Sequence, residues 1–332
     1  MERTYDVYGV GHALVDVQYA VAPEFLPRHG LAKGLMTLID AERQAEVVRR
    51  LGQPPIARAS GGSAANTLIG VAGFGGRAYY ACLLGQDEWG DFYQEDLARA
   101  GVHSSPSNRA PGRTGQCLIL ITPDADRTMH TFLGASSGMG PEQIEEGVLA
   151  ASQYAYLEGY LLSAEAGLAA CRRAQELAHR HGVRVALTLS DPSVVTACAP
   201  RFAQVVDGGV DLLFCNEDEA RAIAGGADTP SAVEHVARLA ARACITCGAR
   251  GAVLCEAGSC TQVPAVPVRA LDTTGAGDLF AGGVLYGVTH GYPLLDAGRL
   301  GSYAAAQVVA QYGPRLGRSL ADQVGAILAH ST

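Results

Sequence analysis

The chain has 332 residues, of which 48% are hydrophobic and 17% charged, and its net charge is −8. This length allows one large domain with a sizeable core, and the acidic balance argues against nucleic acid as a main partner. No apolar run reaches membrane-spanning length and the first residues show no secretory pattern, so we expect a cytoplasmic protein without a membrane partner.

The usage of cysteine and lysine excludes several kinds of site. The nine cysteines are scattered and odd in number, so we expect reduced thiols. Cys244 and Cys247 form a CxxC at a strand end, where they would point to opposite faces and could not chelate one metal without a turn. The chain has 24 arginines and a single lysine, Lys33, which follows no glycine loop. A Walker A loop and a protein-kinase lysine are therefore excluded, and any phosphate chemistry must use arginine and backbone dipoles.

Short apolar runs alternate with helical patterns along most of the chain. This alternation predicts an α/β fold with a Rossmann-like, doubly wound, mostly parallel sheet. The predicted strands are residues 6–10, 78–83, 154–157, 183–189, 212–215, 243–246 and 252–255. No long linker or repeat divides the chain, so residues 1–332 are expected to form one domain.

Two segments interrupt this rhythm, at about residues 15–38 and 104–135. They alternate polar and apolar residues as exposed strands do, and neither leads directly into a crossover helix. We expect both to leave the main body as a small β-sheet lid.

The first strand ends in Gly9-Val10-Gly11, and Asp16 follows at the entrance to the lid. Ligands of doubly wound sheets collect beyond the carboxyl ends of strands. There Asp16 could accept two hydroxyls of a ribose-like ring, although an ordinary strand-end aspartate is the alternative. The two glycines could also belong to a nicotinamide-dependent dehydrogenase, but Leu14 stands where that fingerprint needs a third glycine.

The run Gly61-Gly62-Ser63-Ala64-Ala65-Asn66 opens a predicted helix that ends near residue 74. Paired glycines let a ligand approach the backbone, and Asn66 could both donate and accept hydrogen bonds to sugar hydroxyls. The alternative is that Ser63 caps the helix and Asn66 packs. Farther along, Arg127 lies between the two lid strands, where it could reach a transferring phosphoryl group, or it could be a solvated hairpin arginine.

Asn216 and Glu219 begin a helix and lie three residues apart, on the same side. They could hold a hydrated Mg²⁺ that bridges nucleotide phosphates, or they could form a helix cap. After the next strand come Thr246, Gly248 and Gly251, in a loop that faces the same edge of the sheet.

Residues 272–283 read Asp-Thr-Thr-Gly-Ala-Gly-Asp-Leu-Phe-Ala-Gly-Gly. Small residues at a helix start let an anion approach free backbone N–H groups at the positive end of the helix dipole, which predicts an anion hole at Gly275, Ala276 and Gly277. Asp278 lies beside it and could take a proton from a hydroxyl that attacks a phosphoryl group. The alternative is a glycine-rich turn that simply starts a helix.

These motifs resemble the two signatures of the ribokinase-like (PfkB-type) kinases, in the same order and over nearly the whole chain. Within that family the chain is most similar to the adenosine kinases and bacterial nucleoside kinases, through residues 61–67, the segment ending at Asp16 and the run Asp-Arg-Thr-Met around Arg127. The resemblance implies an ATP-dependent kinase that transfers the γ-phosphoryl group to the 5′-hydroxyl of a ribonucleoside, adenosine first. It also implies Mg²⁺ and makes a monovalent cation near Asp272 and Thr274 conceivable.

The resemblance also assigns roles to residues. It makes Asp278 the catalytic base, Gly275 to Gly277 the anion hole and Arg127 a phosphate contact. The residues implied for the nucleoside are Asp16, Gly61, Gly62, Asn66 and, stacking on the base, Phe132; those implied for ATP and Mg²⁺ are Asn216, Glu219, Thr246, Gly248 and Gly251. His12 stands where these kinases usually have asparagine, so it is a candidate substrate contact that changes preference.

Three alternatives stay open beside adenosine kinase. A sugar kinase of the same fold would act on ribose, fructose or a related acid and would need no apolar wall for a base. A nicotinamide-dependent dehydrogenase and a catalytically silent nucleoside sensor are the others. The sequence leaves monomer and homodimer equally open.

Overall fold

A computed structural model describes residues 3–34, 36–124 and 126–329 of the chain. Leu35 and Ala125, which fall in the two expected lid segments, and the ends of the expected domain lie outside the described residues. The strands are β1 (Tyr5–Val10), β2 (Leu14–Ala20), β3 (Met36–Leu38), β4 (Ala57–Gly61), β5 (Ala78–Ala81), β6 (Leu84–Gly85), β7 (Val102–Ser104), β8 (Arg109–Ala110), β9 (Gly115–Ile121), β10 (Arg127–Phe132), β11 (Ser152–Glu158), β12 (Arg184–Thr188), β13 (Leu212–Asn216), β14 (Arg242–Thr246), β15 (Ala252–Glu256) and β16 (Ser259–Val263).

The helices lie mostly between the strands of the main sheet. They are α1 (Phe25–Arg28), α2 (Ala41–Leu51), α3 (Ser63–Gly73), α4 (Glu88–Arg99), α5 (Glu146–Ala150), α6 (Glu165–Arg180), α7 (Pro192–Ala197), α8 (Ala199–Asp207), α9 (Glu217–Ile223), α10 (Thr229–Val236), α11 (Ala276–Thr289), α12 (Leu294–Val309) and α13 (Val324–Ala329). Among the described residues, none of these helices combines the length and apolar character that crossing a membrane requires.

The main sheet has nine strands in the order β16-β15-β14-β13-β12-β11-β1-β5-β7. All neighbours from β14 to β7 pair in parallel, as the alternation of strands and helices predicts. β15 and β16 instead return antiparallel at one edge, because only tight turns separate them from their neighbours. All seven predicted strands are confirmed, with ends shifted by a few residues.

Both faces of this sheet are covered by helices. On β1, Val7 belongs to the core that contains α3 and α11, while the next residue, Tyr8, belongs to the core that contains α6 and α8. Successive side chains of a strand point to opposite faces, so double coverage makes the strands continuously apolar. That is the pattern from which the parallel sheet was predicted.

The lid is a second sheet of five strands in the order β3-β10-β9-β2-β4. Four of its strands lie in the two predicted segments, whereas β4 was not predicted. Its residues 57–59 are exposed or half-buried and its polar alternation is short, so it gave no strand signal. The strand matters because it pairs with β2 and leads directly into the glycine pair and α3.

The cysteines depart from expectation at one place. Cys255 on β15 and Cys260 on β16 face each other across the hairpin and form a disulfide, so the prediction of reduced thiols is wrong for this pair. Cys244 and Cys247 are free. No group of three or more potential metal-ligating side chains occurs within the described parts of the chain.

Candidate active site

A cavity of about 440 Å³ lies between the carboxyl ends of the main-sheet strands and the lid. We call it the acceptor cavity. Polar groups line its floor, and apolar lid side chains line its opposite wall. The lining includes His12, Asp16, Gly62, Ser63, Asn66, Glu158, Asn216, Glu219 and residues 273–278 on the floor, and Met36, Leu38, Cys117, Ile119, Met129 and Leu133 on the wall.

Asp278 lies in the first turn of α11 and faces this cavity. One carboxylate oxygen accepts a hydrogen bond from the Ser63 hydroxyl at 2.6 Å and the other accepts one from the Asn66 amide nitrogen at 3.1 Å. Burial raises the pKa of Asp278 to about 6, against the lowering effect of these two hydrogen bonds. The group is therefore an anion at neutral pH whose proton affinity suits a general base.

The backbone before Asp278 is the segment for which an anion hole was predicted, at Gly275, Ala276 and Gly277. Gly275 has φ of 78°, in the left-handed region, and an added Cβ would lie 2.7 Å from the Cβ of Pro314. The Ala276 N–H is engaged by the Thr273 carbonyl at 3.2 Å. Within the described residues, the N–H groups of Gly275 and Gly277 have no such acceptor, so they rather than Ala276 are the donors available to an anion.

Asp16 lies on β2 at the lid side of the cavity, as predicted. Its side chain is 7% exposed, and its carboxylate accepts no hydrogen bond from the described residues. Gly61 gives it room, because a Cβ there would lie 2.4 Å from the Asp16 carboxyl group. Burial raises the pKa of Asp16 to about 7. A buried carboxylate with free oxygen atoms needs donors, and ligand hydroxyls would supply them.

Gly62, Asn66 and His12 all line the cavity, and the side chains of Asn66 and His12 also contact other residues of the protein. The Asn66 amide nitrogen is used by Asp278, so Asn66 orients the carboxylate rather than simply facing the ligand. His12 Nδ1 lies 3.0 Å from the Ser136 hydroxyl, and burial lowers the pKa of His12 to about 4, so the ring is neutral. Gly62 has φ of 99° and could not carry a Cβ, which would lie 2.2 Å from the His12 carbonyl oxygen.

Asn216 and Glu219 form the capping box of α9, which confirms the helix-cap alternative, and both also line the cavity. Asn216 Oδ1 accepts from the Glu219 backbone N–H at 2.8 Å, and Glu219 Oε2 accepts from the Asn216 N–H at 3.0 Å. Burial raises the pKa of Glu219 to about 7. A small cavity joins this pair to Asp278 and to Ser190, whose buried hydroxyl lacks a partner among the described residues.

A separate cavity of about 480 Å³ is lined by Thr246, Gly248 and Gly251, the residues predicted to bind ATP. We call it the donor cavity. Its other walls are mostly apolar and come from the 265–270 segment, α11 and α12. Gly251 has φ of 93°, and its missing side chain allows contact with the Val263 carbonyl. Thr273, Ala276 and Gly277 line both large cavities, so the turn before Asp278 is the wall between them.

Arg127 is the first residue of β10 and is not a solvated hairpin arginine. Its Nη2 lies 2.9 Å from Asp272 Oδ2, and the two side chains are 5% and 4% exposed. It does not line the acceptor cavity. Asp272 Oδ1 accepts from the N–H group of Thr274 at 3.0 Å, and Oδ2 accepts from that of Gly313 at 2.8 Å.

Phe132, which was predicted to stack on a base, does not line the acceptor cavity itself. In the lid ladder it pairs with Gln116, whereas its neighbour Thr131 pairs with Cys117, and Thr131 and Cys117 line the acceptor cavity. Successive residues of a strand face opposite sides, so Phe132 points away from the cavity. It borders an open groove and lies under the Arg113 guanidinium at 5.6 Å.

Glu158 is a cavity residue that was not predicted. It ends β11, and its carboxyl oxygens accept from the backbone N–H groups of Ala64 at 2.8 Å and His12 at 3.3 Å. Burial raises its pKa to about 8. The sequence signal for Glu158 was its position directly after an apolar strand, because ligands of doubly wound sheets collect beyond the carboxyl ends of the strands.

The family model of pfkB family carbohydrate kinases matches residues 33–320. The chain belongs to the PfkB family. It is therefore a phosphotransferase that acts on a hydroxyl group, with a ribokinase-like fold. This membership excludes the dehydrogenase reading.

Several relatives of this kinase are similar over nearly their whole length. A probable sugar kinase protein from Rhizobium etli CFN 42 is 37% identical with a TM-score of 0.91, covering 98% of this chain and 99% of that one. The adenosine kinase from Sinorhizobium meliloti is 38% identical with a TM-score of 0.89, covering 97% and 99%. The adenosine kinase of Saccharomyces cerevisiae is 26% identical over 326 residues, or 92% of this chain and 95% of that protein. Both acceptor classes are thus represented among the relatives.

Proposed function

We propose that this kinase transfers the γ-phosphoryl group of ATP to the 5′-hydroxyl of a ribonucleoside, with adenosine as the first candidate. The observation that supports a nucleoside most directly is the division of the acceptor cavity. The free Asp16 carboxylate lies near the catalytic carboxylate, and an apolar wall of lid side chains covers the remaining space. The hydroxyls of a ribose would supply the hydrogen-bond donors that the Asp16 carboxylate lacks, and the apolar wall could bury one face of a base.

In this proposal the nucleoside lies in the acceptor cavity and ATP in the donor cavity. The wall they share ends in the anion hole at Gly275 and Gly277, next to Asp278. Asp278 takes the proton of the attacking hydroxyl, and its bonds to Ser63 and Asn66 fix the direction of its oxygens. The backbone N–H groups then stabilise charge on the transferred group.

The residues around Asn216 and Glu219 fit a hydrated Mg²⁺. The small cavity beside them is lined by the Ser190 hydroxyl, which has no partner among the described residues, and by the acidic side chains of Glu219 and Asp278, whose pKa burial raises. Mg²⁺ would supply neutralisation of phosphate charge there through its waters. Asn216 and Glu219 would hold it, and the capping box keeps both side chains in place.

Arg127 is proposed as a contact for phosphate only after it leaves Asp272. Both side chains are buried in the structure. Although Nη2 lies within ion-pair distance of Asp272, none of the nitrogens Nε, Nη1 and Nη2 makes a well-aligned hydrogen bond to the described residues. Buried unpaired donors are costly, so a phosphate oxygen would be a favourable partner if the lid strand shifts.

The second candidate is a sugar kinase of the same fold. One observation favours it: the expected aromatic ring, Phe132, faces away from the acceptor cavity, whose lid wall is aliphatic. The Rhizobium etli relative is also described as a sugar kinase. A smaller acceptor would use the polar floor and leave the wall largely uncovered.

Measurement of ADP release with adenosine, inosine, ribose and fructose separates the two. We expect kcat/KM for a nucleoside to exceed that for either sugar by at least about tenfold, since burial of one apolar group alone is worth about that factor. The control is Asp278→Asn, which should abolish release with every acceptor. A preference for ribose or fructose would overturn the nucleoside assignment, and release that persists in the variant would overturn the role of Asp278.

A further inference from the structure

Residues 313–315 join the anion hole to the lid. The Gly313 N–H donates to Asp272 Oδ2 at 2.8 Å. Pro314 packs against Gly275 and lines the acceptor cavity. Arg315 then reaches the back of the lid sheet, a part of the molecule that sequence reasoning did not single out.

The guanidinium of Arg315 holds two elements at once. Its Nη1 lies 2.8 Å from Asp96 Oδ2 on α4, and its Nη2 donates to the Ser60 hydroxyl on β4 at 2.5 Å. Asp96 Oδ2 also accepts from the Ser60 N–H at 2.8 Å. The Arg315 and Asp96 side chains are 17% and 22% exposed, so this fork is largely shielded from water and fixes Ser60 in place.

Ser60 immediately precedes the glycine that contacts Asp16. In the lid ladder β4 pairs with β2, with Asp16 opposite Ala59, and a Cβ on Gly61 would collide with the Asp16 carboxyl group. A shift of β4 would therefore either crowd this carboxyl group or leave it room to rotate. Because Arg315 fixes β4 from behind, it also fixes the direction of Asp16.

Arg315 also acts on the charge of Asp16. Among the neighbouring charges it does most to oppose the effect of burial on the pKa of Asp16, Arg127 acts in the same direction and Asp278 in the opposite one. Two further titratable groups near Asp16, the Cys117 thiol and the Tyr93 phenol, are neutral because burial raises the pKa of each, while the Asp96 carboxylate is charged and paired with Arg315. The ionised state of Asp16 thus depends on two arginines.

We propose that Arg315 is a positioning residue for acceptor recognition: its contacts with Asp96 and Ser60 hold β4 behind Asp16 and so fix the direction in which the Asp16 carboxyl group meets acceptor hydroxyls. This inference rests on the proposed function, in which Asp16 binds the acceptor. Arg315 lines neither the acceptor nor the donor cavity, so its removal should weaken acceptor binding through Asp16 and spare ATP binding.

The test is calorimetric binding of 5′-deoxyadenosine, which cannot be phosphorylated, to the full-length kinase between about pH 5.5 and pH 8.5. Asp16 must be ionised to bind, so affinity falls as pH drops through its pKa. We expect Arg315→Gln to lose about tenfold or more in affinity at neutral pH, to move this acid limb to higher pH, and to leave KM for ATP within about twofold, since one pKa unit corresponds to a tenfold change.

Two further variants separate charge from geometry. Arg315→Lys keeps the charge and should keep the acid limb in place while binding more weakly, because an ammonium cannot form the fork. Asp96→Asn, the matched control, removes the anchor but leaves the Arg315 charge, and should weaken binding without moving the limb to higher pH. Thermal unfolding of each variant establishes that it is folded, and Arg315→Lys carries the test if Arg315→Gln does not fold.

The inference is overturned if Arg315→Gln leaves both affinity and acid limb unchanged, or if it weakens ATP and acceptor equally. Failure of the proposed function looks different. In that case wild-type kinase neither binds 5′-deoxyadenosine nor phosphorylates adenosine, and the same titration is made with ribose as the probe. Loss of binding in Asp16→Asn together with no effect in Arg315→Gln would contradict the role of Arg315 alone.

Discussion

At the scale of single residues, the state of Asp278 depends on a few contacts from distant parts of the chain. Ser63 and Asn66 are more than two hundred residues away in sequence, and both donate to its carboxylate. Burial raises the pKa of Asp278, and the hydrogen bonds from these two donors lower it. The outcome is a carboxylate that is charged at neutral pH yet basic enough to accept a proton.

Asp278→Asn keeps the shape of this side chain but cannot accept the proton. We expect kcat to fall by about a thousandfold or more, near the upper range for general-base catalysis, with a much smaller change in acceptor affinity. ADP release gives the first quantity and equilibrium binding of adenosine the second. A variant whose kcat is within about tenfold of wild type would contradict the assignment.

Ser63→Ala tests the tuning of the same carboxylate. The base works only when deprotonated, so kcat should fall as pH drops through the Asp278 pKa of about 6. Removing a hydrogen bond that lowers this pKa should move the acid limb of kcat to higher pH. The measurement is the pH profile of kcat at saturating substrates. A limb that stays in place or moves down would show that Asp278 does not control it.

At the scale of elements, the two faces of the lid sheet present different side chains, and only one face lines the acceptor cavity. Residues such as Cys117 and Met129 line the acceptor cavity, while Phe132 lines an adjoining groove that shares Leu38, Thr131 and Leu133 with the cavity. The sequence predicted the two lid segments but not which alternate residues of each strand face the cavity. A pattern of period two fits either face until the pairing register is known. For the same reason β4, a short polar edge strand, was missed.

Leu38 offers a test of the apolar wall with little risk to folding, because it is 58% exposed and still lines the cavity. We expect Leu38→Ala to raise KM for adenosine several-fold, since less apolar surface is covered by the base, and to leave turnover of ribose unchanged. Leu295→Ala on α12 is the matched control, because Leu295 is also partly exposed and does not line the cavity. Equal effects on adenosine and ribose would argue against a base at this wall.

At the scale of the whole molecule, four acidic side chains with raised pKa converge on one cleft. The values are about 6 for Asp278, about 7 for Asp16 and Glu219, and about 8 for Glu158. Burial is the largest cause for each of them. At a pH between the unfolded and folded pKa values, the folded state keeps protons that the unfolded chain has released. The contribution of these groups to the free energy of unfolding therefore declines as pH rises.

Glu158→Gln isolates one of these groups. Its folded pKa is above the unfolded value of 4.5, so its stabilising contribution is full below about pH 4.5 and is lost as pH rises through about 8. We expect the free energy of unfolding of wild type, relative to the variant, to decline across this window. Urea unfolding at several pH values measures it. A difference that is constant or grows with pH would contradict the raised pKa.

The sequence predicted the sheet, the lid segments and the glycine loops because each depends on local pattern. It placed Asp278, Asp16 and the Asn216–Glu219 pair in one cleft because loops after parallel strands share an edge. Glu158, Arg315 and the partner of Arg127 were beyond its reach. Their parts depend on contacts between segments far apart in the chain, and no periodicity reports such contacts.

The turn from Thr273 to Gly277 separates donor from acceptor by little more than one layer of main chain. In the proposed function both ligands are therefore bound together, and the phosphoryl group passes directly from ATP to the acceptor hydroxyl. Initial-rate plots at several fixed concentrations of the second ligand should intersect, as for a ternary complex, and a chiral thiophosphate donor should show inverted configuration in the product. Parallel plots or retained configuration would instead point to a covalent phosphoryl-enzyme.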